Sequence, residues 1–278
     1  MLKKLFVFVV AITMLISISV YATDTFEGYD IPVDIDINGS FIKCIEKPIL
    51  IDGTSYIPLR AFSDAIGGIT EWNQPEMAAT LTKDGHSFVF YTDKSYCLID
   101  GEEKSFHSVL YRNLTFVPVR AISETLGYDV LWDDFYLTVK MIAPGVEVPE
   151  NLKDASYTYD DILYLGKIIY VESGAQPFKG MLAIGGVVMN RVKSPLFPGS
   201  IKEVIFDTKY GVQFPPAHTD IINVTPSWAC MVAAKCALGG VKVVGNSLYF
   251  VSAKSASSSW VGRNRPYCTT IHGVAFYE

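Results

Sequence analysis

The chain has 278 residues, half of them hydrophobic, with 29 Asp and Glu against 23 Lys and Arg for a net charge of −6. That length allows two cores, and the charge divides unevenly: residues 1–150 carry 11 basic against 21 acidic side chains, residues 151–278 carry 12 against 8. Five Cys and four scattered His give no paired metal spacing and no disulfide framework, which excludes zinc or disulfide chemistry as the organising principle.

At the N-terminus, Lys3 and Lys4 precede an apolar and hydroxyl run from Leu5 to Val20, and Val20 and Ala22 are small residues at the positions a signal peptidase reads. Residues 1–22 are therefore expected to be a signal peptide cleaved before Thr23; uncleaved, the segment would be the chain's one link to a membrane. An exported chain has little occasion to meet nucleic acid, and its basic second half suits an anionic extracellular polymer.

Next comes a repeat at an offset of 60: SYIPLRAFSDAIGGITEW (Ser55 to Trp72) matches TFVPVRAISETLGYDVLW (Thr115 to Trp132). Pro58/Pro118, Arg60/Arg120, Gly67/Gly127 and Trp72/Trp132 coincide. Each copy reads as a strand ended by Pro, a short helix stopped by Gly and a second strand, with hairpins at INGS (Ile37 to Ser40) and IDGE (Ile99 to Glu102). The repeat-related Trp72 and Trp132 are expected in the core. Over residues 30–142 the pattern resembles the secreted Gram-positive stalk domain named after the N-terminal domain of copper amine oxidase. The resemblance implies a wall-binding or spacing role, and without clustered His, Cys or Met it implies no copper. Residues 143–159, with Pro, Gly and no periodicity, read as a linker.

From residue 160 to 278 the chain carries candidate chemistry. Leu163, Leu165, Ile168 and Ile169 give a first helix its apolar face, and Ser173-Gly174 ends it just after Glu172. Pro177 starts a second helix running to about Val192, and Trp228 to Leu238 forms a third. Cys230 and Cys236 on that third helix lie nearly two turns apart, too far to bridge, so buried free thiols are expected. A carboxylate in a helix's last turn meets the negative end of the macrodipole; with partial burial, both effects raise its pKa towards that of a general acid.

The stretch YVESGAQPFKGMLAIGGVVMNRVKSPLFPGSIKEVIF (Tyr170 to Phe206) resembles the SleB/CwlJ-type cell-wall hydrolase family of spore cortex-lytic enzymes. Glu172, Gly180, Asn190, Arg191, Val192, Pro195 and Phe197-Pro198 match its motifs, followed by QFPPA (Gln213 to Ala217), SLYF (Ser247 to Phe250) and Trp260 with Arg265-Pro266. The chain departs from the family at Ser173-Gly174-Ala175-Gln176, where a charged pair is usual, at Pro215, where a hydroxyl is usual, and at a late His that His272 matches only with a shift.

The resemblance implies an α+β protein: a lysozyme-like C-terminal catalytic domain beside a duplicated, β-rich α+β stalk. It implies cleavage of peptidoglycan glycan strands between N-acetylmuramic acid and N-acetylglucosamine by a secreted protein at the wall or spore, with an accessory wall or spore protein as a further partner. Glu172 would be the catalytic acid, and Gln213, Phe214, Tyr249, Trp260 and Arg265 would bind the substrate. A two-carboxylate glycosidase needs a second acid, and between Asp161 and Glu203 only Glu172 is acidic, with Asp207 and Asp220 more distant. The expected reaction is therefore that of a lytic transglycosylase, giving 1,6-anhydro products without metal or cofactor. The alternative is a decayed hydrolase that binds peptidoglycan without cleaving it.

Overall fold

The computed structural model describes residues 23–209 and 211–278. The expected signal peptide, residues 1–22, lies outside them. Among the described residues no helix is long and apolar enough to cross a membrane.

The repeat builds the first half. Strands Thr54–Pro58 and Leu114–Pro118, one from each copy, pair antiparallel at the centre of a four-stranded sheet, with Ile57 opposite Val117. These two residues are equivalent at the offset of 60, so a local twofold axis passes through their pair and relates the copies. Each strand ends in Pro and leads directly into a helix, α1 (Leu59–Ile66) or α2 (Val119–Thr125). Gly67 at φ 71° and Gly127 at φ 75° turn the chain out of them, a left-handed conformation that costs glycine little.

A five-stranded antiparallel sheet running from Ile69–Asn73 to Glu102–Lys104 and a four-stranded sheet holding Asp129–Asp133 complete this half. Both expected hairpins form. Asn38-Gly39 and Asp100-Gly101 all have positive φ, as a two-residue type I′ turn requires. Phe62, Ile122, Phe88 and Phe90 fill the core between the layers.

Residues 143–159 are laid along this module. Lys43 and Asp154 donate backbone hydrogen bonds to Leu152 and Phe41, and the Tyr157 hydroxyl donates to Asp34 at 2.8 Å.

The second half is helical with one small sheet. A capping box between Thr158 and Asp161 starts α3 (Tyr159–Ser173); α4 (Phe178–Lys193), α5 (Ile201–Ile205) and α6 (Trp228–Leu238) pack around it. Gly166 lets α3 approach α6 closely, since a Cβ there would sit 2.6 Å from the Met231 sulfur. Cys230 and Cys236 are buried on α6 as free thiols. The antiparallel sheet Tyr249–Ser252, Val274–Tyr277, Tyr267–Ile271, with α7 (Trp260–Asn264) beside it, closes the domain. The whole is the expected α+β architecture.

Candidate active site

Glu172 sits in the last turn of α3, partly buried. Burial raises its pKa, and the positive charge of Arg191 pulls back part of that rise. Arg191 belongs to α4 and is buried to 3 % exposure. Burial lowers its own pKa to about 10, still far enough above neutrality to keep it charged.

The Asn190–Arg191 pair has a mechanical role. The Asn190 amide donates to the carbonyls of Gly245 and Ser247, both at 3.0 Å, and the Arg191 Nε donates to Leu248 at 2.8 Å. These bonds fix the segment that delivers Tyr249 to the site. The guanidinium is packed among aromatic rings, with centroids 4.8 Å away at Phe197, 4.9 Å at Phe214 and 6.0 Å at Tyr249, an arrangement that offsets part of the cost of burying a cation. Its Nη1 has no hydrogen-bond partner among the described residues.

Glu172, Arg191, Gln213 and Tyr249 line a hollow of about 310 Å³. A second hollow of about 570 Å³ is lined by Phe197, Gln213, Tyr249, Trp260 and Arg265. The two share Gln213, Tyr249 and Val261 and form one groove. In the outer part, Arg265 donates to the Tyr249 hydroxyl at 3.1 Å and lies over the Trp260 ring at 5.2 Å. Trp260 opens α7 with 57 % of its surface exposed. The Gln213 amide bonds back to Gly211, which leaves its side-chain oxygen for other partners.

One expected site residue is misplaced. Phe214 has no exposed surface; its ring packs beneath Arg191 and against Phe250, where no sugar can stack on it. Leu196, Phe197 and Val261 take positions along the groove that no motif marks out as ligand-facing. Glu172 is the one carboxylate lining either hollow among the described residues. Asp207 acts on Arg191 only through its charge, and Asp220 is exposed on a separate turn. No group of three or more His, Cys, Asp or Glu among the described residues could hold a metal.

Comparison with known proteins gives two family matches: cell wall hydrolase over residues 175–277, and copper amine oxidase N-terminal domain over 36–141 and 103–161. The spore cortex-lytic enzyme of Bacillus cereus is 31% identical over 117 residues, 42% of each chain. That of Bacillus subtilis is 30% identical over 122 residues, 44% of this chain and 39% of the relative. The chain thus spans about two fifths of these relatives' length. Among solved structures, the catalytic domain of the germination-specific lytic transglycosylase SleB from Bacillus anthracis is 30% identical, with 99% of that chain and 45% of this one covered at a TM-score of 0.41. Glu172 lies three positions before the matched hydrolase region.

Proposed function

Through its C-terminal domain this chain belongs to the cell wall hydrolase family, and from that premise we propose that it cleaves peptidoglycan glycan strands as a lytic transglycosylase. The observation that carries this reading is a groove with a single carboxylate, half-buried and with a raised pKa. A retaining or inverting glycosidase divides its work between two acids. Here one group does both jobs.

In this mechanism protonated Glu172 gives its proton to the glycosidic oxygen as the bond from that oxygen to C1 of N-acetylmuramic acid breaks. The sugar's own 6-hydroxyl then attacks C1, closing a 1,6-anhydro ring, and its proton returns to Glu172. No water is consumed and the acid is regenerated. Burial keeps the carboxyl in its acid form to higher pH than an exposed Glu, which favours proton donation. The fixed charge of Arg191 stabilises the carboxylate formed after the first transfer, so neither protonation state is locked in.

Gln213 and Tyr249 sit where the sugar beside the broken bond would be held, and Trp260 and Arg265 line the approach further out. The reading places the protein outside the cell, at the wall or spore, with peptidoglycan and an accessory wall or spore protein as partners. Its test is the release of soluble fragments from purified peptidoglycan. Anhydro-muropeptides made by the wild type and not by Glu172→Gln support it. Binding without release in both proteins would instead favour a recognition module.

A further inference from the structure

The two repeats do more than pair at their strands. On the surface of the N-terminal half they form two hollows, about 230 and 150 Å³, built from equivalent residues. In the first, Arg60 and Trp72 of one copy face the Asn113–Thr115 turn of the other. In the second, Arg120 and Trp132 face the Gly53–Ser55 turn. Each residue of the second hollow is the offset-60 counterpart of one in the first, as the local twofold axis requires.

Contrary to the expectation that they are core, Trp72 and Trp132 are 46 % and 37 % exposed. Each indole N–H donates to the side chain two residues on, Gln74 at 2.9 Å and Asp134 at 3.4 Å, so the two rings are oriented by the same device. Neighbouring positions on the same strands have diverged: Ile69 became Asp129 and Glu71 became Leu131. Arg60/Arg120 and Trp72/Trp132 have not; all four are exposed, although Arg120 also donates to the Val130 carbonyl at 3.0 Å and pairs with Glu124. An exposed aromatic plane beside a fork of charged donors suits a sugar ring, whose C–H face stacks while its hydroxyl and acetamido oxygens accept hydrogen bonds.

We propose that these clefts are two equivalent sugar-binding sites, each taking one N-acetylated ring of a glycan strand. The ligand class rests on the reading of the C-terminal groove as a peptidoglycan site. Each hollow is below the roughly 300 Å³ where pockets for drug-sized ligands begin, which suits one ring. The acidic first half, with 21 acidic against 11 basic side chains in residues 1–150, favours the uncharged N-acetylglucosamine rings of the strand over its muramic rings, whose lactyl groups are carboxylates when peptide-free.

The four Trp of the chain make the test direct. Trp72 and Trp132 report the clefts, Trp260 reports the C-terminal groove, and Trp228, packed edge-on against Phe26 at 5.1 Å, is an internal control. Residues 23–278 carrying Glu172→Gln would be titrated with a β-1,4-linked N-acetylglucosamine tetramer and then with peptide-free glycan strands, following the four indole N–H resonances. Trp72 and Trp132 are expected to shift together and Trp228 to stay. Arg60→Ala is expected to weaken the Trp72 response about tenfold and leave that of Trp132 unchanged. Shifts at Trp260 alone, or an unaltered Trp72 response in Arg60→Ala, would overturn the clefts as sites while leaving the groove's function intact. Shifts at Trp72 and Trp132 without Trp260 would support the clefts and count against the groove.

Discussion

Asp34 and Lys235, 201 residues apart in the chain, form an ion pair with both side chains almost wholly buried. Asp34 lies on a strand of the N-terminal module and Lys235 on α6 of the C-terminal domain. Tyr157 donates to the same carboxylate, while Tyr159 at the start of α3 donates to Asp36 two residues on, at 2.6 Å. The two halves are therefore joined by polar bonds out of water, where unpaired charge is costly.

Replacing one partner should show that cost. Lys235→Met leaves the Asp34 carboxylate buried with Tyr157 and, at 3.8 Å, the half-exposed Lys47, and is expected to lose about 3–5 kcal/mol of stability. Adding Asp34→Leu to Lys235→Met should recover most of it. Denaturant unfolding of the single and double variants measures both, and a single-variant loss under about 0.5 kcal/mol would contradict the buried pairing.

Glu172 gives a pH prediction with a definite sign. Its folded-state pKa is raised by burial, so the native state holds a proton that the unfolded chain has released. The stability this contributes is complete below the ordinary Glu range and is lost as pH rises through the raised value. Glu172→Gln should match the wild type in acid and be the more stable protein at neutral pH and above, as paired thermal melts would show. Wild-type activity should decline over the same rise in pH, because the acid form is the one that donates.

Arg191 opposes the rise in the Glu172 pKa. Arg191→Met should therefore move the alkaline limb of the activity profile to higher pH, and should cost about 1–3 kcal/mol through the unmade bond to the Leu248 carbonyl. An alkaline limb that stays in place would show that the two charges are not coupled.

Phe214 and Trp260 should separate packing from binding. Phe214→Ala empties a fully buried site and is expected to cost about 3–5 kcal/mol, with substrate affinity per folded molecule little changed. Trp260→Ala should leave the melting temperature near wild type and raise KM about tenfold, the loss of one exposed stacking platform. The reverse pattern would return Phe214 to the groove.

The sequence made local features readable. The repeat, the glycine helix stops and the type I′ turns depend on neighbouring residues alone, and the carboxylate at the end of α3 stands out because little else near it is acidic. Contacts across the fold were hidden. Arg191 matters through the carbonyl of Leu248, more than fifty positions away, and nothing in a QFPPA turn says which way Phe214 points. Paired aromatics usually lie in the core, and Trp72 and Trp132 do not. Their strands are exposed along most of their length, so no alternation of apolar and polar residues marks an inner face. In the 143–159 segment, Pro and Gly content suggested a linker, while its bonds to Asp34 and Phe41 reach more than a hundred residues back.

The most direct measurement is mass spectrometry of the soluble muropeptides released from purified vegetative peptidoglycan and spore cortex by residues 23–278, with Glu172→Gln in parallel. The single-carboxylate mechanism predicts 1,6-anhydromuramic ends from the wild type and none from the variant. Ordinary reducing muramic ends, or release that persists in Glu172→Gln, would contradict it.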